Sequence, residues 1–202
     1  MNQHETNQRT ARFSPIKWLK GVAPVVLVAV VIIGLDQWSK IWVRNTIPKF
    51  DHIYPLPFTG DYFRFQHVDN HGAAFGILQG HGYIFVAVAF VVSAAILYYA
   101  AILAPEQRWV RLLLGLQMGG ALGNVIDRLY QGYVTDFVQM GIPGVYYWPN
   151  YNIADAAIVC GVIGLGIYLF REDFVRHRSD RPTEAADTDP TRPTTAATSR
   201  EG

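Results

Sequence analysis

Asp136 and Asp155 are the side chains in this sequence best suited to do chemistry. They lie in two short polar strings, Val134-Thr135-Asp136-Phe137 and Asn152-Ile153-Ala154-Asp155, set in an otherwise apolar stretch. Ionisable groups are costly in or beside hydrocarbon, so a membrane segment that carries them is a functional candidate by default. Paired carboxylates can share one proton, because like charges at short range cannot both ionise cheaply. One then acts as base toward a water while the other, protonated, polarises a scissile carbonyl. Burial at a membrane interface raises the pKa of the protonated partner and brings the pair into range near neutral pH. A plainer reading stands beside this one: Asp155 as a carboxylate stabilised by a helix N-terminus, and Asp136 as a turn residue.

Other polar residues carry similar pairs of readings. Asp127 and Arg128, in Gly123-Asn124-Val125-Ile126-Asp127-Arg128, are adjacent and do not face each other on a helix. Arg128 either snorkels outward and closes a span or turns inward to a carboxylate or a substrate headgroup. Asn124 and Asn152 can bind a substrate backbone or bridge helices. Asp36 and Lys40, spaced i,i+4, share a helix face and read as a structural ion pair. Gly115, Gly119 and Gly123 recur at every fourth residue and read as a close helix-packing face. His52, His67, His71 and His81 follow no metal-ligand spacing and read as surface or loop histidines. The single cysteine, Cys160, excludes an internal disulfide and a cysteine metal cluster, and reads as a small packed side chain. Neither Gly-x-Ser-x-Gly nor His-Glu-x-x-His is present.

The elements that must position these residues are membrane helices. Of the 202 residues, 50% are hydrophobic and 16% charged, an imbalance supplied by long uncharged runs. A net charge of +1 without a basic–aromatic patch offers nucleic acid nothing to bind. The expected fold is therefore an all-α membrane protein of four transmembrane helices, at about 22–43, 82–104, 110–129 and 151–170. The first run resembles a signal-peptide core, but Asp36, Gln37 and Lys40 follow it where a small-residue cleavage site would stand, so it reads as an uncleaved span. Aromatic, β-branched and turn-forming residues at about 50–70 predict a small extracytoplasmic β-element between helices 1 and 2. Tyr146, Tyr147 and Trp148 predict an aromatic belt in the other outer loop. Residues 1–16 and 173–202 lack periodicity and read as a disordered cytoplasmic lead and tail around the 17–172 domain.

Lysine and arginine placement sets the expected orientation. Lys17 and Lys20 precede the first span, Arg108 and Arg111 lie between spans two and three, and Arg171, Arg176, Arg178 and Arg181 follow span four. Both termini are then cytoplasmic. In that topology Asp36, Lys40, Asn70, Asn124, Asp127, Arg128, Asn152 and Asp155 all fall near the outer interface.

Five strings together resemble a known family: Asp36-Gln37-Trp38-Ser39-Lys40, Asn70-His71-Gly72-Ala73-Ala74-Phe75, Gly123-Asn124-Val125-Ile126-Asp127-Arg128, Val134-Thr135-Asp136-Phe137 and Asn152-Ile153-Ala154-Asp155. In this order, over roughly residues 22–171, they resemble the lipoprotein signal peptidases (signal peptidase II), bacterial intramembrane aspartyl peptidases. The resemblance implies cleavage of diacylglyceryl-modified prolipoproteins just before the lipidated cysteine, in the inner membrane, with an active site near the outer face. It implies Asp136 and Asp155 as the catalytic dyad and Asp127 as a supporting carboxylate. It places Asn70, Asn124, Arg128 and Asn152 around the substrate, and gives Asp36 and Lys40 a structural or supporting role. It implies no metal or cofactor, action as a monomer, membrane lipid as a partner, and sensitivity to globomycin-type antibiotics. Tyr151, where the family usually has phenylalanine, is a mild departure.

Two other classes use the same residue types. A small proton-coupled transporter would use the carboxylates as a relay, but places them near the midplane of repeated halves, and no repeat is visible. A metal-dependent lipid-headgroup transferase would cluster acidic residues on cytoplasm-facing helix ends, opposite to the expected orientation.

Overall fold

The structure, a computed structural model, describes residues 15–72 and 81–179. Residues 1–14 and 180–202, and the Ala73-Ala74-Phe75 end of one motif, lie outside the described residues. Among the described residues four helices are long and apolar enough to cross a membrane: α1 (Pro15–Thr46), α2 (Gly82–Ile102), α3 (Arg108–Gln131) and α4 (Ile153–Ser179). A sheet of four short strands joins them: β1 (His52–Ile53), β2 (Phe63–Asn70), β3 (Val134–Ile142) and β4 (Tyr146–Tyr147). It is antiparallel throughout, in the order β1-β2-β3-β4. Two expectations change here. Pro15, Ile16 and the stretch from Asp173 to Ser179 are helical rather than part of structureless extensions. The loop between α3 and α4 is not only an aromatic belt, because it supplies β3 and β4 to the sheet.

The helices carry apolar side chains outside and polar ones inside. Leu27, Val91 and Tyr98 are exposed, whereas Asp36 and Lys40 on α1 are completely buried. Hydrocarbon as the surrounding solvent explains both halves of this inversion. Apolar surface costs nothing against lipid, and ionised groups must be gathered where they can pair.

Close backbone approach is what brings the helices together. A Cβ on Gly115 would lie 2.9 Å from the Val25 carbonyl oxygen, and one on Gly119 2.8 Å from that of Ala29, so the glycine face of α3 packs on α1. Gly120 faces the Ala154 carbonyl of α4 in the same way. A Cβ on Gly123 would come 2.7 Å from Asp36 Oδ2, so glycine there leaves room for a carboxylate. At the other end of α3, buried Arg111 donates to the carbonyls of Gly21, Leu103 and Ala104. It thereby ties α1 to the loop that follows α2. Among the described residues, α4 belongs with this body as far as Gly166. From Ile167 onward it forms a unit of its own, in which Tyr168 donates to Glu172.

The sheet is anchored by Val43 of α1, Ile47 just beyond its end and Phe137 of β3, with Ile53, Phe65, Val138 and Ile153 packed against them. One irregularity decides where its side chains point. Phe63, Arg64 and Phe65 pair with Met140, Gln139 and Val138, but Val68, Asp69 and Asn70 pair with Asp136, Thr135 and Val134. β2 thus carries one extra residue, a bulge at Gln66–His67. The His67 N–H donates to the Asp51 carbonyl and its own carbonyl accepts from the Phe50 N–H. Its ring Nδ1 lies 2.8 Å from the Ile47 carbonyl oxygen. His67 is therefore buried, not a surface histidine, because the bulge turns it toward the end of α1. Strand side chains alternate faces with period two, so one extra residue reverses the facing of everything after it. Without the bulge Asn70 would lie on the sheet face opposite Asp136; with it, the two are diagonal neighbours on one face.

Candidate active site

Asp36, Lys40, Asn70, Asn124, Asp127, Arg128, Asp136, Asn152 and Asp155 converge on one end of the helical bundle. The base of the cluster is a buried charge group. Lys40 Nζ lies 2.7 Å from Asp36 Oδ2 and 3.2 Å from Asp127 Oδ2. Gln37 donates to Asp127 Oδ1 and to the Gly123 carbonyl. Arg44 reaches Thr135 Oγ1 at 3.0 Å and stands 3.9 Å from Asp127. Burial of this many charges is tolerable only because each carboxylate has a cation or several N–H donors in reach. Gln37 and Arg44 went unassigned in the sequence reading. Their spacing from Lys40, three residues before and four after, was the available signal, since it puts all three on one face of α1.

Asp36 and Asp127 also fasten the elements above them. Asp36 Oδ1 accepts the backbone N–H of Ala154 at 3.0 Å, tying the first turn of α4 to α1. Asp127 Oδ2 accepts the backbone N–H of Thr135 at 3.0 Å, one residue before Asp136. Asp127 therefore holds the start of β3 and does not line the cleft.

Donor and acceptor chemistry then fixes the orientation of the asparagines. An ammonium group can only donate, so Lys40, 2.9 Å from Asn124 Oδ1, sets which way that amide faces. Asn124 Nδ2 consequently points the other way and donates to Asp155 Oδ1 at 2.8 Å. Asn70 is set similarly: its Oδ1 accepts the Gly72 N–H, which turns Nδ2 to Asp136 Oδ2 at 2.8 Å. The Asn152 side chain links the two aspartate residues. Its Nδ2 donates to Asp136 Oδ1 at 2.6 Å, and its Oδ1 accepts the Asp155 N–H at 2.9 Å. Asn152 sits just before α4, so the second of these bonds caps the helix. Asp155 Oδ2 reaches back to the Asn152 N–H at 3.3 Å and closes a capping box with aspartate in place of glutamate.

The two aspartates thus stand in unlike environments. Asp155 occupies a helix N-terminus, where the dipole suits negative charge. Its position is the one the plainer reading gave it, and it also opens on the cleft. Asp136 is in a strand, not a turn, and is buried. Burial first, and then the charge of Asp155, push its carboxyl up to about 7, against the hydrogen bonds of Asn70 and Asn152 and the charge of Lys40. The chain entering α4 is stitched to β3 by paired backbone bonds between Val138 and Tyr151. That pairing brings Asn152 and Asp155 alongside Asp136.

Both carboxylates line a cleft of about 970 Å³ between α2, α3 and α4. Asn70, Asn124 and Arg128 share its polar end, and Phe85, Val88, Val92 and Val159 make its walls apolar. Arg128 turns inward: it donates to the carbonyls of Gly72 and Asn124 and lies over the Phe85 ring, 4.9 Å from its centre. Cys160 also borders the cleft and is exposed, not packed, because α4 turns that face to the open space. A smaller hollow of about 510 Å³, bordered by Tyr62, Met140 and Trp148, has no carboxylate in its wall. Among the described residues no group of three or more His, Cys, Asp or Glu side chains could hold a metal ion.

Residues 28–171 match the family described as Signal peptidase (SPase) II. The chain belongs to the signal peptidase II family. It is accordingly a peptidase, and with its four spanning helices a multi-pass membrane protein. A lipoprotein signal peptidase of Xanthomonas euvesicatoria pv. vesicatoria is 40% identical to it over 147 residues, 71% of this chain and 83% of the relative. Another from Moorella thermoacetica is 43% identical over 140 residues, 69% and 88% of the respective chains. A bacterial membrane enzyme solved by the in meso method at 2.3 Å resolution superposes with a TM-score of 0.69 at 28% identity, covering 82% of this chain and 96% of the other. The family match spans every string of the proposed site, from Asp36 through Asn70, Asn124 and Asp136 to Asp155.

Proposed function

We propose that this chain is an aspartyl endopeptidase that removes the signal peptide from diacylglyceryl-modified prolipoproteins, cleaving just before the lipidated cysteine. Family membership supports the substrate class. The observation that carries the chemistry is the pair of carboxylates that both accept from Asn152, one from its Nδ2 and the other from its backbone N–H, with Asp155 on a helix N-terminus and Asp136 buried with its carboxyl near 7. Asp155, ionised, takes a proton from a water held between the pair. Asp136, protonated, donates a hydrogen bond to the scissile carbonyl as the water oxygen attacks it. When the tetrahedral intermediate collapses, the C–N bond breaks and the proton held by Asp155 passes to the leaving amine of the cysteine. Carboxylates with unlike environments suit this division of labour.

The signal helix and the acyl chains occupy the apolar cleft, Arg128 and the asparagines hold the polar backbone around the scissile bond, and the sheet covers the site against bulk water. The site faces the outer side of the bacterial inner membrane, with both termini cytoplasmic. The enzyme acts as a monomer in contact with membrane lipid, has no nucleic-acid partner, and is blocked by globomycin-type antibiotics. The test is a gel-shift cleavage assay on a purified diacylglyceryl-prolipoprotein, comparing the wild-type chain with Asp136→Asn, Asp155→Asn and Asp127→Asn, each checked for folding. Loss of cleavage in the first two with residual activity in the third is the expected result. Full activity in folded Asp136→Asn or Asp155→Asn overturns the mechanism.

A further inference from the structure

Gln117 stands out among the cleft residues because nothing in the site described above uses it. Residues 117, 121, 124 and 128 of α3 all border the cleft, a single helix face at spacings of four, three and four. The upper two, Asn124 and Arg128, belong to the polar end. Gln117 lies seven residues before Asn124, about 10 Å farther along the helix. Its Nε2 is buried and has no hydrogen-bond partner among the described residues. The side-chain stem crosses α4 at Gly161, where a Cβ would come 2.6 Å from Gln117 Cγ. A residue with no side chain thus leaves the stem its room. The apolar residues that line the cleft with it, Val88 and Val92 of α2 with Ile158 and Val159 of α4, offer side chains that cannot accept a hydrogen bond.

An unpaired amide N–H in such surroundings costs free energy that a bound acceptor recovers. The acceptor must be uncharged to enter apolar walls and need bring no donor of its own, which describes a carbonyl oxygen. We propose that Gln117 is a substrate-binding residue whose Nε2–H donates to a carbonyl of the bound prolipoprotein, about two helical turns from the carboxylate pair. The inference rests on the prolipoprotein reading given above. Two parts of that substrate carry carbonyls into the cleft: the acyl esters of the diacylglyceryl group, and any stretch of the signal segment that is not helical.

The experiment measures KM and kcat for the purified full-length chain on a prolipoprotein carrying either a diester or a diether lipid on its cysteine. Wild type is compared with Gln117→Leu and with Gln117→Met, which keeps the length of the stem if the leucine variant fails to fold. Loss of one neutral hydrogen bond made equally in ground and transition states raises KM roughly five- to tenfold and leaves kcat unchanged. If the partner is an ester, wild type shows the same rise on the diether substrate and the variants show no further change. If it is a peptide carbonyl, wild type is indifferent to the lipid linkage and the variants are weakened on both substrates. Either pattern supports the assignment. An unchanged KM on both substrates in a folded variant overturns it. A wild-type chain that cleaves neither substrate overturns the prolipoprotein reading and this inference with it.

Discussion

Lys40→Met tests whether the site stands on its buried charge group. Lys40 is fully buried and serves three acceptors at once, Asp36, Asp127 and Asn124 Oδ1. Methionine conserves most of the volume, so the loss is electrostatic rather than a cavity. Breaking a buried pair by removing one partner costs about 3–5 kcal/mol, because a charge is left uncompensated. A second route to the magnitude agrees. A stranded carboxylate can escape by taking up a proton, which from an ordinary value near 3.9 costs about 4 kcal/mol at pH 7 and about 1.5 kcal/mol at pH 5. The expected deficit is therefore about 4 kcal/mol at pH 7, shrinking by more than half at pH 5. Lys40→Met with Asp36→Asn should recover much of it, since the neutral pair strands one charge fewer. Reversible denaturant unfolding in detergent micelles, followed by tryptophan fluorescence at both pH values, measures this. A deficit under about 1 kcal/mol at pH 7, or one that does not change with pH, would refute the reasoning. The same variant frees the Asn124 amide to rotate, so cleavage should fall even where the protein is folded.

The raised carboxyl of Asp136 gives a signed pH dependence. The folded chain binds its proton more tightly than the unfolded chain does, so this group's contribution to stability falls as pH rises from about 4 to about 7. The proposed mechanism needs the protonated form, so kcat/KM should decline as pH passes about 7. Asp136→Asn should abolish the stability slope, and a slope that survives the substitution belongs to another group. Gly120→Ala and Gly34→Ala form a contrasting pair. A Cβ at Gly120 meets the Ala154 carbonyl and Ile158, whereas one at Gly34 meets nothing within 4 Å. The first should cost about 1–3 kcal/mol and displace α4 with Asp155; the second should be neutral or stabilising by up to about 1 kcal/mol in the same unfolding assay. His67→Ala removes the ring contact to the Ile47 carbonyl that pins the bulge, and should lower kcat/KM by loosening Asn70 from Asp136. His67→Asn, which keeps a donor near the Nδ1 position, should restore part of the loss; equal activity in all three chains would show that the bulge needs no pin.

Much of the fold was written in the hydrophobic runs. A helix crossing hydrocarbon must satisfy its own backbone and expose apolar side chains, so α2 could be placed from the uncharged stretch beginning at Gly82, and the glycine face of α3 announced a close helix contact. The i,i+4 spacing of Asp36 and Lys40 likewise showed the ion pair, because a helix makes such residues neighbours. Tertiary structure decided what depends on registers between distant segments. Whether Asp136 and Asp155 share a site depends on β3 pairing with the chain at Tyr151, and whether Asn70 reaches Asp136 depends on a single extra residue at His67. Side-chain facing in a strand alternates with every residue, and no local pattern in β2 reveals where one is inserted. Cys160 and Gln117 show the same boundary. Periodicity places them on helices, but only the packing of α2, α3 and α4 creates the open space beside them. A residue's chemistry is a property of the sequence; the company it keeps is a property of the fold.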